Sequence, residues 1–283
     1  MSATILDGKA IAEKLRAELA EQIAELSRPP RLVAIMAGGD EGTDSYARIQ
    51  RRTAEQVGVD YALRELGADA DQAAVLAAIE AANADEAVDG LILLTPLPEG
   101  VDTRALQAAI APAKDVDGVS PYNLGLTAQG DDSFAPNTAL AAVHLVEESG
   151  AEVRGAEAVV VGRSVIVGKP AALMLLDRGA TITICRTTTR DVAFHTSRAD
   201  ILIAAAGSPG LIRGDQIKPG AVVIDVAMNW VEDGGKGHFV GDVVFDEAVE
   251  VAGVITPVPG GVGPVTVTML MRSTYQAAIR RCR

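Results

Sequence analysis

Cysteine is nearly absent from this sequence: only Cys185 and Cys282 occur in 283 residues, far apart. That excludes a disulfide framework and a multi-cysteine metal site, and it favours a reduced, cytoplasmic setting. Histidine is scarce as well. His144, His195 and His238 are scattered without a neighbouring cysteine or acid cluster, so structural or surface roles are expected and no metal site. Basic residues fall short of acidic ones, 25 Lys and Arg against 38 Asp and Glu, which gives a formal net charge of −13 and a pI near 4.7. The summed field repels nucleic acid and anionic membranes alike, although local basic sites remain compatible with it. No apolar run approaches the roughly 20 residues that span a bilayer, and the opening MSATILDGKAIAEKL lacks a long apolar core behind basic residues. Neither export nor membrane insertion is expected.

Nearly half of the residues are apolar, enough for one large or two ordinary domains with full cores. After Asp7, a candidate N-cap, Ile11, Leu15, Leu19, Ile23 and Leu26 recur at helical spacing until SRPP stops the pattern. RLVAIMAGG then reads as a buried strand, SYARIQRRTAEQVG (45–58) as a helix closed by Gly58, DYALRELG as a strand, DQAAVLAAIEAANA as a helix and DGLILLTPLP as a strand. Alternation of this kind predicts a parallel sheet covered on both faces. Within 45–58, Tyr46 and Gln50 share one helical face, while Arg48 and Arg52 stack on another. A second unit begins near Gly155, where AEAVVVGRSVIVGKPAALMLLDRGATITICR supplies strand, glycine turn, helix and strand. Two more buried strands follow in ADILIAAAG and GAVVIDVAMN, then the glycine-rich TPVPGGVGP and a closing helix to about Cys282. The fold class is therefore two α/β domains, the second Rossmann-like: residues 1–137, joined by a last helix over about 265–283 that crosses back, and residues 138–264.

In VVVGRSVIVGKP, Gly162 and Gly168 flank Ser164 between a strand and a helix that Lys169 and Pro170 begin. Free amides and the dipole at a helix start suit a pyrophosphate, although such a turn also serves as a simple tight connection and the spacing is not G-x-G-x-x-G. The candidate cofactor set is Gly162, Arg163, Ser164, Val167, Gly168, Arg186, Thr187, Ala206 and Gly207. An NAD site commonly carries an acid at the end of the second strand, where this chain has Cys185, Arg186 and Thr187. Arg163 and Arg186 would attract a 2′-phosphate, so NADP is favoured over NAD; the plainer reading is that both merely solvate loops.

LDGKAIA, GGDEGTDSY, PLP at 96–98, KDVDG at 114–118, GRSVIVGKP, GSPG at 207–210, VIDVAMN, GDVVF and TPVPGGVGPVT together resemble the methylenetetrahydrofolate dehydrogenase/cyclohydrolase enzymes, the FolD family of bacteria, over nearly the whole chain. The resemblance implies oxidation of 5,10-methylenetetrahydrofolate by NAD(P)⁺ to the methenyl cation, followed in most members by hydrolysis to 10-formyltetrahydrofolate. It implies a folate site in a cleft between the domains and a homodimer formed through the nucleotide domain. It gives Tyr46 the task of stacking on the folate ring and Asp117 that of holding the pterin N–H groups, and it lets Pro259, Gly260 and Gly261 bring backbone close to the ligand.

Three positions depart from the family pattern. The lysine expected four residues after the tyrosine is Gln50, the glutamine expected before the leucine–proline strand end is Leu94, and a Pro-Cys-Thr-Pro run is replaced by PNTALAA at 136–142. An amide does not exchange protons near neutral pH, Leu94 cannot orient a partner, and Arg48 and Arg52 point elsewhere and stay protonated. The expectation is an NADP-dependent dehydrogenase whose cyclohydrolase activity is weak or lost. The alternatives are a bifunctional enzyme with rerouted proton transfer, an enzyme acting on another cyclic aminal or imine, and a non-catalytic folate- or nucleotide-binding paralogue.

Overall fold

The computed structural model describes residues 2–234 and 236–281; Cys282, Arg283 and Met1 lie outside the described residues. In chain order come β1 (Thr4–Ile5), α1 (Gly8–Ala24), β2 (Arg31–Ala37), α2 (Glu41–Val57), β3 (Asp60–Leu66), α3 (Gln72–Ala84), β4 (Gly90–Leu93), α4 (Thr103–Ala109), α5 (Pro121–Thr127) and α6 (Asn137–Glu148). They are followed by β5 (Glu157–Val161), α7 (Gly168–Asp177), β6 (Thr181–Cys185), α8 (Val192–Thr196), β7 (Ile201–Ala204), β8 (Val222–Asp225), β9 (Asn229–Asp233), β10 (Lys236–Val240), α9 (Phe245–Ala248), β11 (Val254–Ile255) and α10 (Val262–Arg281).

These elements form two compact units. The first contains Glu13–Leu126, Ser133–Asn137 and the chain from Val267 onward. Its sheet is all-parallel with strand order β3-β2-β4, and β2 in the centre is buried along almost its whole length. One apolar cluster gathers Leu32, Ala34, Met36, Ala47, Val57, Ile92, Leu94 and Leu270; a second gathers Val33, Ile35, Val75, Ile79, Leu91 and Leu106. Alternate residues of β2 thus point into different clusters, the period-2 signature of a strand buried on both sides. Each fully buried leucine or isoleucine here contributes about 1.5–3 kcal/mol.

The second unit contains the described residues up to Ala12, Thr127–Asp132 and Thr138–Thr266. Its six-stranded parallel sheet has the order β1-β11-β8-β7-β5-β6, and an antiparallel hairpin, β9 with β10, stands apart from it. The first residues depart from the sequence reading, which gave all of 1–137 to one domain: β1 pairs with β11, so the chain begins in the six-stranded sheet. Its two residues are too few to carry a periodic signal. Helices α1 and α10 each have residues in both units. No helix among the described residues is long and apolar enough to cross a membrane.

Candidate active site

The helix that carries Tyr46 and Gln50 is fixed at both ends. Asp40 caps α2 by accepting from the Thr43 amide at 2.8 Å and its hydroxyl at 2.9 Å, and Gly58, at φ 84°, ends it while its amide donates to the Ala54 carbonyl. Arg48 and Arg52 are exposed on it, whereas Gln50 is fully buried. The Tyr61 hydroxyl of β3 donates to Gln50 Oε1 at 3.0 Å, and Gln50 Nε2 is buried without a hydrogen-bond partner among the described residues. Leu94 continues the β4 pairing through its amide to the Ile35 carbonyl and is 3% exposed, packed in the cluster against which Tyr46 and Tyr61 lie.

Asp117 sits on a loop that three other polar side chains hold. Asp115 accepts from the Val119 and Ser120 amides and from Asn123 Nδ2, and Gly118, at φ 69°, leaves no room for a side chain against the Phe134 carbonyl. Asn137 Nδ2 donates to the Val116 carbonyl at 2.9 Å and to Asp117 Oδ1 at 3.1 Å, while its Oδ1 accepts from Ser273. Burial, together with the charge of Asp115, pushes the Asp117 carboxyl up to about 7, against the Asn137 hydrogen bond. Burial and the nearby Asp117 and Tyr61 push the Tyr46 hydroxyl well above its ordinary value, against the Gln50 side chain beside it, and burial pushes Tyr61 up to about 12. Tyr46, Gln50, Leu94 and Asp117 therefore belong to one unit, with Tyr46 and Asp117 close enough for the carboxylate to act on the phenol. The sequence alone singles out neither Tyr61 nor Asn137: the first reads as an ordinary strand residue, and the second lies in PNTALAA, where the chain departs from the family pattern.

The larger sheet has its own focal point. The chain leaves β5 through α7 to β6 on one side and returns as β7 on the other, and ligands of open α/β sheets bind beyond the carboxyl ends of strands where the order reverses. The loops there are residues 162–167 and 205–210. A side chain on Gly162 would overlap the Ala205 carbonyl, and one on Gly168 would overlap the Gly162 carbonyl, so the two loops and the start of α7 meet backbone to backbone. Arg163, Arg186 and Thr187 are exposed, and neither arginine forms an ion pair among the described residues.

Two details correct the expectation of free amides. Helix α7 starts at Gly168 rather than Lys169, and Ser164 Oγ already accepts from the Val167 and Gly168 amides at 3.1 and 3.4 Å, because the turn folds the hydroxyl back over the helix start. The Ala206 and Gly207 amides are likewise taken, by Asp242. Pro259, Gly260 and Gly261 lie in this same unit, where a side chain on Gly8 would overlap the Gly261 carbonyl and Gly260 adopts φ 111°.

Comparison with known proteins gives two family models in tandem. Residues 6–117 match the tetrahydrofolate dehydrogenase/cyclohydrolase catalytic domain, and residues 136–282 match the tetrahydrofolate dehydrogenase/cyclohydrolase NAD(P)-binding domain. The chain is 47% identical to the bifunctional protein FolD of Moorella thermoacetica, covering 99% of this chain and 100% of that one. Among solved structures it resembles the methylenetetrahydrofolate dehydrogenase-cyclohydrolase of Trypanosoma brucei, crystallised with NADP and an inhibitor, at 38% identity and a TM-score of 0.96 over 100% of this chain and 99% of that one. It also resembles the bifunctional FolD of Campylobacter jejuni, at 37% identity and a TM-score of 0.95 over 99% and 100% of the two chains.

Proposed function

Because the chain belongs to the tetrahydrofolate dehydrogenase/cyclohydrolase family, we propose that it oxidises 5,10-methylenetetrahydrofolate to the 5,10-methenyl cation with NADP⁺, in one-carbon metabolism. The observation that carries the reading is the convergence of Tyr46 and Asp117, 71 positions apart in the sequence, on one half-buried spot. NADP⁺, when bound, supplies the acceptor for the hydride that leaves the methylene carbon. The turn at 162–168 fits such a dinucleotide, since Gly162 and Gly168 pack it tightly on the 205 loop and the start of α7, beyond the strand ends, while Arg163 and Ser164 stay exposed. Ser164, Arg163, Arg186 and Thr187 would hold its phosphates, the two exposed guanidinium groups favouring a 2′-phosphate.

The remaining work falls to this chain's own side chains. The cation formed is delocalised over two nitrogens, so orientation and exclusion of water matter more than proton transfer. Tyr46 offers a ring face for stacking, and Asp117 an acceptor for the pterin N–H groups. Binding these donors favours the ionised carboxylate, offsetting the burial that raises its pKa.

For the second step the full-length relatives favour hydrolysis, and the bifunctional reading is the one the family likeness supports better. The finer reading, weak or lost hydrolysis, rests on Gln50 and Leu94, neither of which carries an exchangeable proton near pH 7. On the bifunctional reading the proton transfer would be rerouted through a group other than Gln50 and Leu94. One absorbance scan with 5,10-methylenetetrahydrofolate and NADP⁺ separates the cases. Stable methenyl product alongside NADPH marks a dehydrogenase, transient methenyl product a bifunctional enzyme, and no change a binding protein.

A second copy of the chain is the expected partner. Met228, Trp230 and Phe239 at the β9–β10 hairpin are exposed, the two rings meeting edge to face at 4.9 Å between centroids. Light scattering tests this: a mass of one chain at all concentrations would rule it out.

A further inference from the structure

We propose that Asp242 is a positioning residue for the cofactor, aiming the loop at 205–210 from beneath; this rests on the NADP reading above. Three stretches that the reaction leaves without a role converge here: GSPG (207–210), VIDVAMN (223–229) and GDVVF (241–245). Asp242 is fully buried, and its carboxylate accepts from three successive backbone amides, Ala206 at 2.6 Å, Gly207 at 3.0 Å and Ser208 at 2.6 Å, and from Asn229 Nδ2 at 3.0 Å. Successive amides of this kind form a concave anion site, and here the protein fills it with its own carboxylate.

A second carboxylate fixes the first. Asp225, at the end of β8, accepts from the Ala227, Asp242 and Val243 amides, while its own amide donates to Thr256 Oγ1 at 2.8 Å. A side chain on Gly241 would overlap the Asp225 carboxylate, so this glycine is what allows the two strand ends to close on one another. Strand β8, the GDVVF turn and the loop after β7 are thereby locked in one hydrogen-bonded unit.

The consequence is chemical. With the donors of residues 206–208 consumed from below, this loop cannot bind a pyrophosphate, and the phosphates are left to the Ser164 turn and the exposed arginines. What the loop retains are carbonyl oxygens, acceptors suited to a cationic ring that bears a carboxamide N–H. Asp242 thus divides the cofactor site into a phosphate-binding loop and an acceptor loop. A neutral amide at 242 would turn a donor toward at least one of the three backbone amides and release the loop.

The test is NADP⁺ titration followed by calorimetry, with tetrahydrofolate titration and melting temperature measured on the same samples. The variants are Asp242→Asn, Asn229→Ala, which removes one of the four donors, and Asp200→Asn. Asp200 accepts from Lys218 and the Glu157 amide at the amino ends of the same strands, so it serves as a control for general loosening of the unit. Asp242→Asn should weaken NADP⁺ binding by about tenfold or more and Asn229→Ala by about threefold, since the first changes the acceptor of all four donors and the second removes one donor and leaves the three backbone amides bound. Asp200→Asn should leave NADP⁺ affinity unchanged even if it lowers the melting temperature, and tetrahydrofolate affinity should hold in all three. If Asp242→Asn does not fold, Asn229→Ala decides. Unchanged NADP⁺ affinity in Asn229→Ala and Asp242→Asn, or an equal loss in Asp200→Asn, overturns the role of Asp242 while wild-type binding stands. Failure of the wild type itself to bind NADP⁺ overturns the cofactor reading and this inference together.

Discussion

Asp242 and Gln50 are both fully buried, but Asp242 collects four donors from two segments, whereas Gln50 receives one hydrogen bond, from Tyr61, and its Nε2 finds no acceptor among the described residues. A satisfied buried network specifies one conformation of its loop. An unsatisfied amide costs about 1–3 kcal/mol until something supplies an acceptor. The loop around Asp242 is thus finished by the fold alone; on the function proposed above, the surroundings of Gln50 form the folate end, to be completed by a ligand or tolerated as what remains of a lost function.

The sharpest way to break this contrast is to restore a titratable group at the folate end. Gln50→Lys combined with Leu94→Gln should raise methenyltetrahydrofolate hydrolysis by roughly 10²–10⁴-fold, the usual range for general acid–base help. Either change alone should fall short. Decay of the methenyl absorbance against buffer reads the effect, and a wild type already far above the buffer rate would show that Gln50 and Leu94 cost nothing.

Removing the carboxylate opposite Tyr46 should come next in size. Asp117→Ala should weaken tetrahydrofolate binding by about 100-fold, as for two charge-assisted bonds discounted for solvent, and leave NADP⁺ binding intact. The wild-type affinity should itself fall as pH drops below about 7, the value to which Asp117 is pushed, because the protonated form no longer accepts from both N–H groups. The same carboxyl links to stability with the opposite slope. It titrates near its ordinary 3.8 when unfolded and near 7 when folded, so its contribution is present at low pH and is lost as pH rises through that window. Separate ligand titrations at pH 6 and pH 8 decide the binding claim.

At the cofactor end, Arg186→Ala should weaken NADP⁺ binding by about tenfold and spare NAD⁺, because only the 2′-phosphate needs the cation. Equal losses would place that phosphate elsewhere. Smallest of all, Gln50→Met with Tyr61→Phe removes both partners of the half-made pair and should be neutral or raise the melting temperature by a few degrees, since an apolar pair of similar shape leaves nothing unpaired. A marked fall would mean that Nε2 is satisfied after all.

Much of this was legible in the sequence. Most strands of both sheets follow from short apolar runs, α2 from residues 45–58 and its closing glycine, although it starts at Glu41 behind the Asp40 cap, and the shared face of Tyr46 and Gln50 from helical periodicity alone. The hairpin β9–β10 and strand β1 were not, the first because DGGKG reads as any turn, the second because a two-residue parallel pairing depends on a partner 250 positions away. Asp242 escaped for a related reason: GDVVF looks like a turn, and the donors that give its aspartate a purpose lie 34 to 36 residues earlier. Spacing reveals what one element does to itself and stays silent on what distant loops do to each other.

Strand β1 also constrains how the molecule can be made. Strand β1 belongs at the edge of its sheet, and its neighbour, Val254–Ile255, lies 250 positions later, so that edge stays open until all of the chain between them has been made. Neither unit is one uninterrupted stretch of chain. A gene cut near residue 137 therefore yields two fragments that each lack a piece of their own architecture: the C-terminal fragment is missing its edge strand, and the N-terminal fragment is missing the Leu270 and Met271 side chains that help fill its core.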